Sequence, residues 1–335
     1  MRLLDLDRQK FAEYFTSIGE KGFRAGQVIS WIWDKGVLNP RAMTNLREET
    51  RAKMLEDFTE SPIVLDRIAS YDRSKKFLIQ MTDGAKIETV LMKSAGHDTL
   101  CVSTQAGCPF QCTFCQSGRL GMERNLDASE IMYQVAFARP KPRNIVFMGI
   151  GEPLANWNNF KTAVLRLNDE AGISMRHMAV STVGVPGMIE KLGNELPNVR
   201  LAISLHAPTQ RLRQTLMPKA AKQMNIKSLL EEVRMYQAIT KNRVTFEYIM
   251  LRGINDSTMH AEELTDLLIG AHGLVNLIPY NSTDDCDFEP SPPSSIRHFL
   301  NKLRDLGLDA TVRKSLGFGS DSACGQLRYR RSDDD

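Results

Sequence analysis

From residue 99 to residue 313 the chain alternates short apolar runs with amphipathic stretches, and that rhythm restricts the fold more than any other feature. Strand-like runs fall at 99–104, 144–149, 178–182, 199–204, 244–250 and 274–278. Helical patterns lie between them, at 127–138, 157–168, 185–193, 225–240 and 257–271. A last helix at 293–306 leads to a strand at 309–313. Repetition of this kind specifies an α/β protein whose parallel strands are joined by crossover helices. An open or partial barrel and a doubly wound sheet both satisfy it, and periodicity does not choose between them. In either case ligands belong at the C-terminal ends of the strands.

Residues 1–60 are different. Phe11, Tyr14, Phe15 and Ile18 recur at helical spacing, as do Val28, Trp31 and Ile32, which indicates a small helical accessory domain. Its ten basic and ten acidic residues make it mixed in charge. Residues 61–94 are rich in β-formers, and Asp83-Gly84 marks a hairpin there, so an antiparallel β extension leads into the core. The core then covers 95–315 and a C-terminal loop 316–335.

Composition excludes several classes. With 42% hydrophobic and 25% charged residues in 335, the chain is an ordinary globular one, not a disordered one. A net charge of +3, from 43 basic and 40 acidic residues, rules out a polycation but not a local basic face. Six cysteines are too few for a disulfide scaffold. The start, MRLLDLDRQKF, carries charges where a signal peptide needs an apolar run. The apolar stretch 267–280 is broken by His272 and Asn276 and is too short to span a bilayer. A cytoplasmic protein with reduced thiols and no membrane partner is expected.

Three of the thiols stand together. Cys108, Cys112 and Cys115 form C-x3-C-x2-C directly after the first core strand. A structural zinc would want a fourth ligand, and no CxxC or HxxxH partner follows. A 4Fe–4S cluster usually takes four thiolates, so three would leave one iron open to an exogenous amine and carboxylate. An open iron is of use to an enzyme. The spacing, with Phe114 before the third cysteine, is the signature of the radical S-adenosylmethionine (SAM) enzymes.

Later segments place polar groups at predicted strand ends. They are Met148-Gly149-Ile150-Gly151-Glu152-Pro153, Ser181-Thr182-Val183-Gly184, Ser204-Leu205-His206-Ala207-Pro208 and Asn276-Leu277-Ile278-Pro279-Tyr280-Asn281. Taken singly, each could be a turn or a helix cap, and His206 a hydrogen-bonded structural histidine. Near the C-terminus comes Ala323-Cys324-Gly325-Gln326-Leu327. Together with Leu100–Cys108, LCVSTQAGC, these segments resemble the RlmN/Cfr family of radical SAM rRNA (adenine) methyltransferases, closer to RlmN, over nearly the whole chain.

The resemblance implies a partial (β/α)6 TIM-like barrel of the radical SAM type. It implies a 4Fe–4S cluster on Cys108, Cys112 and Cys115, and two SAM molecules per turnover. Gly151, Glu152, Ser181, Ser204, His206 and Asn281 match the family's SAM-contact positions. Cys324 matches the cysteine that carries a methyl group, Cys101 the thiol that resolves a protein–RNA adduct, and Glu88 the proton acceptor. The implied reaction methylates C2 of an adenosine in 23S rRNA, free or in an assembly intermediate, with tRNA as a further target. A low-potential donor such as flavodoxin or ferredoxin would supply electrons. C8 methylation, as in the Cfr branch, is the near alternative. A non-catalytic Fe–S or zinc RNA-binding protein would leave Cys101 and Cys324 dispensable, and a radical SAM enzyme of a small molecule would leave the C-terminal cysteine motif unexplained. Cys286 matches no family position and reads as structural or incidental. The run before Cys324, Gly317–Ala323, departs from the family's usual D-I-x-A-A-C.

Charge is uneven along the chain. Arg211, Arg213, Lys219, Lys222, Lys227, Arg234, Lys241 and Arg243 face only Glu231 and Glu232. Arg139, Lys141 and Arg143 form a second cluster, and Arg313, Lys314, Arg328, Arg330 and Arg331 a third. These are solvated helix faces or RNA phosphate contacts.

Overall fold

A computed structural model describes residues 1–313 apart from 71, 95, 120 and 283–285. Ten strands form one sheet. In chain order they are β1 (Ile63–Ala69), β2 (Lys75–Gln80), β3 (Lys86–Ser94) and β4 (His97–Cys101), then, after a separate pair β5 (Gln105–Gly107) and β6 (Met122–Asn125), β7 (Asn144–Phe147), β8 (Met178–Thr182), β9 (Arg200–Ser204), β10 (Val244–Met250), β11 (Gly273–Pro279) and β12 (Ala310–Val312).

β1 to β4 pair antiparallel, as the hairpin signal predicts. Gly84 supplies the positive φ at that turn, and the Asp83 side chain accepts from the Ala85 N–H. From β4 on, the neighbours β7, β8, β9, β10, β11 and β12 are all parallel. Their spatial order follows chain order without reversal. A doubly wound sheet reverses direction at a switch point; steady progression curls a sheet toward a barrel. The choice left open by periodicity therefore falls to the partial barrel, with the three-residue β12 beyond the expected six strands.

Alternation along the strands sorts side chains between two faces. Ile145, Phe147, Val180, Leu201, Ile203, Phe246, Tyr248, Val275 and Leu277 belong to a buried cluster with the crossover helices. The same cluster takes in Phe11, Phe15, Val28, Ile32 and Trp33 of the N-terminal helices Arg8–Ser17 and Arg24–Trp33. The opposite, inner face carries Met148, Ser181, Ser204, Glu247, Ile249 and Ile278, which line a pocket.

Several boundaries differ from expectation. The run at 99–104 leaves the main sheet at Cys101 and the one at 144–149 ends at Phe147. The helix expected over 257–271 ends at Leu267. Among the described residues no helix is long and apolar enough to cross a membrane.

Candidate active site

The cysteine loop is pinned at its base. β5 and β6 pair antiparallel across it, and the Cys108 N–H donates to the Gly121 carbonyl at 2.8 Å. Gly107 makes that approach possible: at φ +75° a Cβ there would lie 1.9 Å from the Gly121 oxygen. Further along, the Thr113 N–H and hydroxyl both donate to the Leu216 carbonyl, at 3.0 and 3.1 Å. Leu216 ends a helix, Gln210–Leu216, that was not expected from the sequence. Phe110, Phe114, Leu216, Met217, Ile249 and Tyr280 pack around the three thiols.

Those thiols line one pocket at the C-terminal ends of the parallel strands, together with Gly151, Glu152, Ser181, Ser204 and His206. Eight of the sequence-predicted residues thus meet in one place, as the eight names show. Asn281 is half-buried just after β11 and is not among the lining residues. Cys324 lies outside the described residues.

Glu152 is buried and follows β7. One carboxylate oxygen accepts from the Leu154 N–H at 3.0 Å and the other from the Val183 N–H at 2.9 Å. It is therefore a cap and a pocket group at once. The Thr182 hydroxyl donates to it as well, and three donors leave the carboxylate, with about four acceptor sites, one for an incoming amine. Burial pushes its carboxyl up to about 7 despite those donors.

His206 sits at φ +57°, a conformation uncommon for a side-chain-bearing residue. Its Nδ1 accepts from the Ile249 N–H at 3.1 Å, which leaves the proton on Nε2. Burial drives the ring's pKa down to about 3, so the imidazole is neutral and acts as a donor. Phe114 meets it edge-on, ring centres 5.0 Å apart. The Ser181 and Ser204 hydroxyls share a hydrogen bond of 3.0 Å across β8 and β9.

Gly151, in the pocket wall, leaves no room for a side chain. At φ +105° its Cβ would fall 2.6 Å from the Cβ of Gln105, whose side chain accepts from the Glu152 N–H. Gly151→Ala is expected to cost about 1–3 kcal/mol by overpacking. Gly253→Ala, with φ +69° and nothing within 4 Å, should cost less. Thermal unfolding of both variants checks this, and equal losses would contradict it.

Glu88 and Cys101 do not line the pocket but lie on the same inner face. Cys101 pairs with Val90 in register and packs with Val90 and Ile150; Met148, which lines the pocket, packs on that group. Glu88, two residues before Val90, is buried and bound to the buried Lys76 ammonium at 3.0 Å. Lys76 lies opposite Val90 in the hairpin, diagonal to Glu88. Neither the pairing nor Lys76 was expected.

Comparison with known proteins accords with this geometry. Residues 1–59 match the "Ribosomal RNA large subunit methyltransferase N-terminal domain", and residues 102–264 the "Radical SAM superfamily". A "Probable dual-specificity RNA methyltransferase RlmN" of Synechocystis sp. is 39% identical over 99% of this chain and 96% of that protein. A protein of the same description from Fervidobacterium nodosum is 41% identical over 98% and 97%. The chain belongs to the RlmN family. A radical SAM methyltransferase from Sphaerobacter thermophilus, 37% identical, superposes with a TM-score of 0.94 over 98% of this chain and 99% of that one.

RlmN-family proteins are radical SAM proteins, so the pocket should suit SAM and a 4Fe–4S cluster. Its donor set does. Three soft thiols stand in a mostly apolar surround of Phe114, Val183, Met217, Ile249 and Ile278. Burial pushes the Cys108 thiol up to about 12 and Cys112 well above its ordinary value, so without metal they are neutral and loading must release protons. Among the described residues no three His, Cys, Asp or Glu side chains converge closely enough to hold a metal ion.

Three of the basic residues read as helix-face or phosphate-contact cations are tied into this RlmN-family chain, and one of them is fully buried. Arg213 is 0% exposed and donates to the Val183 and Met224 carbonyls, so it is not a phosphate contact. Arg313 lines the pocket near Glu247. Arg139 is half-buried and bonded to the Ile32 and Ala138 carbonyls. Glu247 itself, buried and bonded to the Asn276 amide at 2.8 Å, was missed. A lone Glu inside an otherwise apolar strand, VTFEYIM, was the available signal.

Proposed function

We propose that this chain is a radical SAM RNA methyltransferase that methylates C2 of an adenosine in 23S rRNA, and an adenosine of tRNA as a second target. Supporting the reading most strongly is one observation: Glu88 and Cys101, which belong to the β extension and the first core strand and not to the cysteine loop, share the sheet's inner face with the pocket. No SAM-binding task requires a buried carboxylate and a buried thiol there.

When bound, the cluster and SAM supply an electron and a 5′-deoxyadenosyl radical, the chemistry that an unactivated adenine carbon needs. The protein does the rest. Cys108, Cys112 and Cys115 would hold the cluster. Glu152 accepts from the methionine amine, His206 donates from Nε2, and Ser181 and Ser204 present hydroxyls. Cys324 would carry a methyl group that gives up one hydrogen atom to the radical and joins the ring carbon as a methylene bridge, the adduct then losing one electron and the ring proton. Glu88, ion-paired with Lys76 at 3.0 Å, takes the proton from the ring carbon. Cys101 attacks the bridging sulfur and frees the product as a disulfide forms with Cys324. The target base must be unstacked, so free rRNA or an assembly intermediate in the cytoplasm is the substrate. A flavodoxin or ferredoxin supplies electrons.

Glu88→Gln tests the assignment of the base. Its Cys324 should still be methylated, by peptide mass spectrometry, while methylated adenosine falls about 10²–10⁴-fold, the usual cost of losing a general base. Wild-type turnover in that variant would remove Glu88 from the reaction.

A further inference from the structure

Arg213 is the most costly residue to bury that the reaction above does not use. Its side chain is fully buried on the helix Gln210–Leu216. Two guanidinium nitrogens donate to the carbonyls of Met224, at 3.2 Å, and Val183. Its Nε finds no acceptor among the described residues. A buried cation normally has a carboxylate beside it, because dehydration of an unmatched charge is expensive. Among the described residues no carboxylate pairs with Arg213, and the group whose charge would favour its own is Cys112, as the thiolate it becomes on binding metal. Burial lowers the guanidinium to about 10, so it stays charged at neutral pH. The same charge reaches His206 and helps keep that ring neutral.

Its surroundings are those of the cysteine loop. The last carbonyl of its own helix, Leu216, holds Thr113, the residue after Cys112. Leu212 and Leu216 pack in the same group as all three thiols. The carbonyl it clamps belongs to Val183, whose N–H holds Glu152.

We propose that Arg213 is a fixed counter-charge for the thiolate-bound iron–sulfur cluster, a positioning residue that eases the cluster's reduction and anchors Val183 beneath Glu152. The inference rests on the cluster reading above. Reduction adds a negative charge to an already anionic group of thiolates and irons, and a cation buried beside it favours that state. Arginine suits the task, since it stays charged in a dry site and its fork holds two carbonyls at once.

The test compares wild type, Arg213→Lys and Arg213→Gln, each full-length and reconstituted anaerobically with iron and sulfide, without SAM. Dithionite titration followed by visible absorbance and electron paramagnetic resonance gives the cluster's midpoint potential. Arg213→Lys should stay near wild type. Arg213→Gln should show at least a tenfold lower ratio of reduced to oxidised cluster at the wild-type midpoint, which is about 59 mV for one electron. An unchanged potential in Arg213→Gln, a lysine variant shifted as far as the glutamine one, or loss of the folded cluster protein in both would overturn the proposal and leave Arg213 a carbonyl clamp. A shift seen only with SAM present would assign the charge to the methionine carboxylate and overturn it as well. Wild-type protein that takes up no iron would instead defeat the cluster reading itself.

Discussion

Cys101→Ala protein is expected to purify with RNA covalently attached through Cys324, while Cys324→Ala should yield no methylated protein, no adduct and no methylated RNA. The two thiols differ because their chemistry does. A thioether forms by simple displacement on SAM, so the methyl-carrying sulfur is needed first. Release requires another thiolate to attack that sulfur, as in disulfide exchange, so the resolving sulfur is needed last. In the proposed reaction that thiolate is Cys101, which is 7% exposed at the end of β4, on the inner face, with Val90 and Ile150 packed around it. A denaturing gel before and after nuclease, followed by peptide mass spectrometry, reads both variants. RNA-free, fully active Cys101→Ala protein, or methylation by Cys324→Ala, would exclude the two-thiol route.

Replacing Cys112 by Ala should remove the bound iron and the brown colour of anaerobically purified protein. Cys112 is flanked by the two other thiols and stands where burial opposes a free thiolate. Desolvation outweighs the favourable charge of Arg213 there, so bonding to metal is what would hold the ionised form. Cys286→Ala is the matched control. That thiol donates to the Thr113 carbonyl at 3.4 Å and packs at the edge of the same group, and it matches no family position, so iron should be retained. Iron and sulfide assays with visible absorbance check both. Stoichiometric zinc without iron in the wild-type protein would contradict the cluster.

The strands that carry the site were legible because they are apolar β-branched runs between turns. Met178–Thr182 and Val244–Met250 begin and end where the composition says. The pair Gln105–Gly107 and Met122–Asn125 was not, because neither segment has a pattern of its own; the close approach of Gly107 to Gly121 brings them together. Arg213 was misplaced for a related reason. In a run of basic residues nothing marks which one turns inward, and the choice was made by a helix lying over the cysteine loop. Lys76 escaped notice because its tie to Glu88 is a matter of hairpin register, which sequence leaves open. Glu152 shows the opposite case. Cap and ligand were offered as rival readings, and the carboxylate does one while facing the pocket where it can do the other.

The most direct measurement follows deuterium from SAM into product. Anaerobic enzyme, reductant, unmethylated 23S rRNA and SAM bearing a fully deuterated methyl group are combined, and nucleosides are analysed by mass spectrometry and compared with authentic 2-methyladenosine and 8-methyladenosine. If a hydrogen is abstracted from a cysteine-borne methyl group before carbon–carbon bond formation, the product is 2-methyladenosine whose methyl group has lost one deuterium and gained one ordinary hydrogen, and the missing deuterium is found in 5′-deoxyadenosine. A product that keeps the fully deuterated methyl group would mean direct transfer from SAM and would contradict the account.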